Sequence, residues 1–125
     1  MNELVPGLSG SHQAVVAEAD TAIALGSGSV PVLATPRLVA WLEAAAVAAL
    51  ACAIPDGSTT VGTHIDLRHT APTAVGRQVD VVATVSSVEG RTIAFELQAQ
   101  DGGKPIASGL HLRVIVDAER FLNSL

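Results

Sequence analysis

The sequence predicts an α+β fold in which one long apolar helix precedes a meander of four antiparallel strands. Residues 38–53 contain only one polar side chain, Glu43, and are rich in alanine and leucine, which favour a helix. Beyond the turn at residues 54–57, short segments rich in β-branched residues alternate apolar with polar positions and are separated by glycine turns. A length of 125 residues suits one domain, so residues 1–125 are expected to fold together, with 1–10 as a tail or entry loop.

The helix is expected to cover residues 36–53. Thr35 is of a type that favours the N-cap position, and Pro36 suits the first helical position. Because the segment is apolar on every side, it should be buried all round, by a wrapping sheet or by a partner. It is too short to span a membrane, which takes about 20 apolar residues. A carboxylate in this setting must be paired, hydrogen-bonded or protonated, so Glu43 is the first indication of chemistry.

The segment before the helix is less informative. Residues 12–24 are expected to form a weak strand, and residues 25–35, rich in Gly, Ser and Pro, a mobile loop. The glycines at 26 and 28 have neither a Walker lysine nor a GxGxxG pattern after them, so the loop is not expected to bind a phosphate.

Four strands are expected after the helix, over residues 58–70, 77–88, 91–100 and 106–117, and residues 118–125 are expected to form a short helical turn or a tail. In the first strand the apolar parity carries Val61, Thr63, Ile65, Leu67 and His69. In the last, Leu110, Leu112, Val114 and Val116 alternate with His111, Arg113 and Ile115. His64 and His111 therefore fall on polar strand faces, where we expect them at the surface or behind a site.

Charge and cysteine content limit the partners. The net charge of −5 argues against a nucleic acid or an anionic membrane as main partner, although six of the seven basic residues follow residue 67 and leave room for a small anionic ligand. Cys52 is the one cysteine, and the first residues lack the pattern of a signal peptide, so a cytoplasmic location is expected. A sheet of this size has an edge and a second face to protect, which a homodimer or a higher homo-oligomer would cover.

Several polar positions together resemble the fluoroacetyl-CoA thioesterase family. Glu43 follows Thr35 by eight residues, and His69 follows Glu43 by 26 residues in an His-Thr-Ala sequence, as in that family. Gly62 and the segments 88–91 and 108–113 also match, and the similarity covers about residues 34–122. The resemblance implies a hot-dog fold, in which a curved antiparallel sheet wraps a central helix.

The resemblance also implies hydrolysis of a small acyl-CoA thioester. Glu43 would be the nucleophile or general base, His69 its acid/base partner, and Thr35 would orient water or the carboxylate. Gly62 and Arg113 would bind the substrate or its oxyanion. No metal or cofactor is implied, since CoA is part of the substrate, and the site groups come from one chain or from two.

Other interpretations remain open at the level of sequence. Thr35 is equally a helix cap, His69 a satisfied core histidine, and Glu43 the partner of Arg113 or Arg68 in a structural ion pair. About 12 Å of helix rise separates Thr35 from Glu43, so water or substrate must bridge them within one chain. His64 and His69 have opposite parity, which disfavours a metal site.

The fold is also compatible with functions other than thioester hydrolysis. A non-catalytic module that binds acyl-CoA or an acyl carrier is the main alternative, followed by a structural dimerisation domain. A hot-dog hydratase usually has an Asp and a His about five residues apart on a longer helical segment, and the predicted helix contains no such pair. The segment before Thr35, residues 26–30, lacks the aromatic residues that cover the pocket in the fluoroacetyl enzyme, so selectivity for a fluoroacyl group is not expected to carry over.

Overall fold

The computed structural model describes residues 3–125, which form a five-stranded antiparallel sheet packed against one long helix. The strand order is β1-β3-β4-β5-β2, so β1 and β2 are the two edges. The strands are β1 (Ser9–Val15), β2 (Ser58–His69), β3 (Gln78–Glu89), β4 (Thr92–Asp101) and β5 (Lys104–Asp117), and the helices are α1 (Ala22–Leu25), α2 (Thr35–Ala49) and α3 (Ala118–Asn123). The α+β hot-dog architecture expected from the sequence is confirmed.

Helix α2 packs one face against the concave side of the sheet, mainly over β1 and β3. Its buried residues recur at helical spacing and are Leu38, Leu42, Ala45, Ala46 and Ala49. They meet the inward side chains of β3 and β4, among them Val79, Val81, Ile93, Phe95 and Leu97. At Gly10 on β1 a Cβ atom would collide with the backbone of Ala45 and Ala49. The alanines of α2 and this glycine therefore let the helix lie close against the sheet.

The helix and the first strand begin and end at other residues than the sequence predicted. Thr35 is the first residue of α2 rather than its N-cap, because Ala34 occupies that position without a side-chain hydrogen bond. The helix ends at Ala49, and residues 50–53 form turns. The strand expected over residues 12–24 was wrong after Val15, since a 3-10 helix (Glu18–Asp20) and α1 follow it.

One side of α2 remains uncovered by its own chain. Ala44, Val47 and Ala48 are exposed there, with Val47 50% accessible. The sheet of a single chain therefore does not bury α2 all round, and burial by a partner, the other cover expected from the sequence, stays a prediction. Edge strand β2 is uncovered as well, since every residue from 62 to 66 is exposed.

A β-bulge in β2 changes which side chains face the helix. The pairing with β5 shifts between Gly62 and His64, so that Thr63 is the extra residue of the bulge. Thr63 is consequently exposed, although its parity predicted a buried position. Ile65 then pairs with His111, and Gly62 with Arg113.

On β5, the polar side chains that were expected to face outward are buried, and an apolar side chain that was expected to face inward is exposed. His111 and Arg113 are 1% and 6% exposed, whereas Leu110 is 53% exposed. His111 is thus not at the surface; it lies beneath α2 and β2. No helix within residues 3–125 is long and apolar enough to cross a membrane.

Candidate active site

A buried arginine organises the first polar cluster, between α2, β2 and β5. Arg113 Nη1 donates to Glu43 Oε2 over 2.9 Å. Its Nε donates to Thr60 Oγ1 over 2.9 Å, and its Nη2 to the Thr60 carbonyl over 3.0 Å. A buried arginine needs partners for its charge and its N–H groups, and these three bonds pair the charge and use three of the five N–H groups. We call Glu43, Thr60, His111 and Arg113 the arginine cluster.

Gly62 provides the space for the carboxylate of this cluster. A Cβ atom at position 62 would lie 2.5 Å from Glu43 Oε2 and 3.3 Å from Arg113 Nη1. The glycine and the neighbouring bulge thus let the side chain of Glu43 reach Arg113 from the helix. The Glu43 side chain is 40% exposed, and within residues 3–125 its Oε1 forms no hydrogen bond. One carboxylate oxygen is therefore fixed and the other is free to react or to bind.

His111 completes the cluster from beneath. Its Nδ1 lies 2.8 Å from the carbonyl oxygen of His64, and its Nε2 lies 3.2 Å from Arg113 Nη1. A carbonyl oxygen only accepts, so Nδ1 carries the proton and Nε2 presents its lone pair to the arginine. Burial lowers the pKa of His111 and thereby favours this neutral ring.

A second pair of residues lies at the N-terminal end of α2. Thr35 Oγ1 and His69 Nδ1 are 2.8 Å apart. His69 Nε2 is enclosed and has no hydrogen-bond partner within the described residues 3–125. Burial lowers the pKa of His69, so the imidazole favours the neutral form. The enclosed Nε2 is therefore a polar atom without a partner among residues 3–125.

A cavity of about 340 Å³ opens beside this pair. Its wall is mostly small or apolar and is formed by Ala22, Ser27, Gly28, Val30, Val32, Leu33, Thr35, His69, Thr70, Ala71 and Pro72. A separate depression of about 220 Å³ lies beside Glu43 and is bounded by Val39, Gly62, Thr63, His64, Ile65 and His111. Thr35 and His69 thus line one depression of the chain, and Glu43 lines another.

The structure brings together some of the residues singled out in the sequence and leaves others apart. Thr35 contacts His69, and Glu43 contacts Arg113 beside Gly62. Glu43 and His69 have no hydrogen bond or ion pair with each other within the described part of the chain. The pairing of Glu43 with Arg113 is one of the interpretations that the sequence left open, and it does not exclude a catalytic role for the carboxylate.

Two residues of the arginine cluster were not singled out as site residues from the sequence. Thr60 gave no signal, since its role depends on the register between β2 and β5. His111 was expected on a polar face, and a clue to its burial was its spacing of two from Arg113, which puts both on the same strand face. Among residues 3–125, no three His, Cys, Asp or Glu side chains lie close enough to share a metal ion.

Comparison with known proteins places this architecture among the hot-dog thioesterases. A family described as "Fluoroacetyl-CoA-specific thioesterase" matches residues 16–119. The fluoroacetyl-CoA thioesterase of Streptantibioticus cattleyicolor is 40% identical over 90 residues, which cover 72% of this chain and 65% of that protein. The chain belongs to the fluoroacetyl-CoA-specific thioesterase family, which confirms the resemblance seen in the sequence.

Solved structures agree with this assignment. A structure of the fluoroacetyl-CoA thioesterase FlK superimposes with a TM-score of 0.92 at 32% identity, covering 98% of this chain and 96% of FlK. A hypothetical protein of Thermus thermophilus, described as a thioesterase superfamily member, has a TM-score of 0.91 at 24% identity over 99% of this chain and 92% of its own. The latter supports the fold alone, whereas FlK and the family match support membership of the family.

Proposed function

We propose that this protein hydrolyses the thioester of a small acyl-CoA and that Glu43, His69 and Thr35 carry the reaction. The observation that carries the proposal is the state of Glu43. Arg113 binds one oxygen of its carboxylate, while the second oxygen faces a depression at the surface. A charged carboxylate with one free oxygen suits a nucleophile or a general base.

The chemistry needs few groups, because a thioester is already activated. With Glu43 as general base, the carboxylate takes a proton from water while the water oxygen bonds to the thioester carbonyl carbon. The carbon–sulfur bond then breaks, and the CoA thiolate takes a proton. With Glu43 as nucleophile, its oxygen bonds to the carbonyl carbon, the carbon–sulfur bond breaks and CoA leaves as the thiolate. Water then hydrolyses the acyl-glutamate anhydride to the free acid and the Glu43 carboxylate. His69 exchanges the protons in either route, and Thr35 holds the imidazole in place.

Gly62 and Arg113 are proposed to act on the substrate side. Gly62 lines the depression beside Glu43, so an acyl group bound there would lie next to the reacting carboxylate. Arg113 lies next to the reacting carboxylate, where its positive charge favours the developing oxyanion. CoA enters as part of the substrate, and the proposed reaction uses no metal or other cofactor.

We further propose that the working enzyme is a homodimer whose sites take groups from both chains. Within one chain, Thr35 and Glu43 are separated by about 12 Å of helix rise. Glu43 Oε1 is free, and no contact joins Glu43 to His69 within residues 3–125, so each lacks the other group that the reaction needs. The uncovered side of α2 and the exposed edge of β2 adjoin the Glu43 depression. A second copy on this surface would cover both and bring one chain's Glu43 to the other chain's His69.

The acyl group is proposed to be small but not restricted to fluoroacetyl. The loop at residues 26–30 contributes Ser27, Gly28 and Val30 to the cavity wall and has no aromatic side chain. A wall of small residues excludes little, so acyl groups larger than acetyl should fit. A cytoplasmic location, where acyl-CoA is available, is proposed on the basis of the one cysteine.

Thiol release from a panel of acyl-CoAs, from acetyl to long-chain and aryl, tests the reaction. The wild type should turn over a subset, and Glu43→Gln should lose at least a hundredfold in kcat on that subset, as expected when a reacting group is removed. Glu96→Gln is the matched control, because Glu96 is an exposed glutamate on β4. The proposal is contradicted if no acyl-CoA releases thiol. If CoA then still raises the melting temperature, the non-catalytic binding module is the better account.

A further inference from the structure

His111 is the most buried titratable side chain of the cluster, and the proposed reaction does not use it. It is 1% exposed, and both of its ring nitrogens are within hydrogen-bonding distance of other groups. A histidine of this kind either fills space in the core or controls the groups beside it. The partners of its two nitrogens decide between these roles.

We propose that His111 is a positioning residue of the thioesterase site: its unprotonated Nε2 accepts a hydrogen bond from Arg113 and fixes the guanidinium in the orientation that grips Glu43. The inference rests on the proposed function, because it concerns the residues that hold the reacting carboxylate. His111 itself does not touch the reacting atoms.

The hydrogen bond to β2 determines the tautomer. The His64 carbonyl accepts from Nδ1 over 2.8 Å, which leaves the Nε2 lone pair directed at Arg113 Nη1, 3.2 Å away. The same Nη1 donates to Glu43 Oε2 over 2.9 Å. One guanidinium nitrogen therefore joins the imidazole below to the carboxylate above. The Thr60 bonds hold the other side of the guanidinium, so Nη1 would lose its second anchor without His111.

The groups around the ring oppose a protonated form. The Arg113 guanidinium on β5 and the His64 side chain on β2 disfavour a second positive charge, whereas Glu43 on α2 favours it. The ring of Phe95 on β4 lies against the imidazole at a centroid distance of 6.0 Å and offers it no acceptor. A proton on Nε2 would point at the N–H of Arg113. Its nearest acceptor, Glu43 Oε2, is 3.8 Å away and already accepts from Arg113.

Two substitutions separate the two hydrogen bonds. In His111→Asn the amide can replace Nδ1 and still donate to the His64 carbonyl, but nothing reaches Arg113. In His111→Gln the longer side chain can place its amide oxygen where Nε2 was and accept from Arg113. Both variants lose the aromatic ring, so they are matched in packing. We expect kcat to fall about tenfold or more in His111→Asn with KM within about twofold, and to stay within about threefold of wild type in His111→Gln.

A purely structural histidine would give another pattern. Both variants would then lose melting temperature to a similar extent, and their kcat per folded protein would be alike. Equal kcat values for the Asn and Gln variants, or a larger loss in Gln, would overturn the proposal.

A spectroscopic measurement on the wild type needs neither turnover nor a variant that folds. Long-range ¹H–¹⁵N spectra of the imidazoles should show His111 as a neutral ring with the proton on Nδ1, and it should remain so below pH 6.5. A proton on Nε2 at neutral pH, or titration near the value of a free histidine, would overturn the proposal. If the tautomer is as expected but no acyl-CoA is hydrolysed, the proposed function fails while the contact between His111 and Arg113 stands.

Discussion

Substituting Gly62 by alanine should separate Glu43 from Arg113. The added Cβ would lie 2.5 Å from Glu43 Oε2, whereas Cβ atoms practically never approach another atom within 3.0 Å. At least 0.5 Å of movement is required, and Glu43 is the partner able to move, since its side chain is 40% exposed and Arg113 is held by Thr60. The cost is the charge-assisted bond between Glu43 and Arg113, about 1–2 kcal/mol after allowance for solvent around Glu43.

A double-mutant cycle isolates this effect. Gly62→Ala should lower the melting temperature by about 4–8 °C in the wild type but by less than about 2 °C in Glu43→Ala, where the colliding oxygen is gone. Urea or thermal unfolding at a fixed protomer concentration provides the measurement. The remaining neighbours, His111 Cε1 at 3.2 Å and Arg113 Nη1 at 3.3 Å, need to move only a few tenths of an ångström and contribute equally in both backgrounds. An equal loss in both backgrounds would refute the account of Gly62.

The same variant should lose activity beyond its loss of stability. Displacing a reacting carboxylate by about 1 Å costs about a hundredfold in rate. We therefore expect kcat of Gly62→Ala to fall by that order with little change in the fold, as judged by circular dichroism. A well-folded Gly62→Ala enzyme with wild-type kcat would show that the position of Glu43 does not matter for catalysis.

Four other changes test separate parts of the structure. Arg113→Lys keeps the charge but loses the forked guanidinium that binds Thr60 and Glu43. It should lower the free energy of unfolding in urea by about 2–4 kcal/mol, and a loss below about 0.5 kcal/mol would contradict the buried arginine cluster. Thr35→Val removes the hydroxyl on His69 and should lower kcat about tenfold in thiol release, while Thr35→Ser should keep most of it; equal rates would leave Thr35 without a role. Burial lowers the pKa of both His69 and His111, so the unfolded chain binds more protons and stability should fall as the pH drops below about 6.5; unfolding free energies that are flat between pH 7.5 and 5.5 would contradict this. Phe95→Ala should cost about 3–5 kcal/mol, because Phe95 is fully buried beneath α2, and a loss under 1 kcal/mol would contradict that position.

The order and packing of the main helix and strands could be predicted from the sequence, because the spacing of apolar residues indicates which side of each element is buried. The inward residues of β3 and β4 alternate strictly, and the structure buries them as expected. The apolar run of α2 likewise indicated its central place. The ends of the helix could not be predicted. Thr35 was expected to be an N-cap, but its hydroxyl hydrogen-bonds to His69, which is 34 residues away in sequence and comes close only when the chain folds.

The candidate site was predictable only in part, for a physical reason. The positions of Thr35, Glu43 and His69 followed from family spacing, but the pairing of Glu43 with Arg113 depends on the strand register that places Gly62 opposite Arg113. A bulge changes side-chain parity without a change in hydrophobic pattern, so Thr63 was expected inside. On β5, His111 and Arg113 are buried although both side chains are polar. Hydrogen bonds within the arginine cluster replace the ones that they would otherwise form with water.

Mixing two inactive chains tests most directly whether the working site is shared between chains. Glu43→Gln and His69→Ala chains, carrying different affinity tags, are coexpressed, and the mixed dimer is isolated through both tags. In a shared site, Glu43 of one chain meets His69 of the other, so one of the two sites of the mixed dimer is intact. We expect about half the kcat of wild type, against almost none for either parent variant. A mixed dimer that is as inactive as its parents, or the absence of any dimer to isolate, would contradict the shared site.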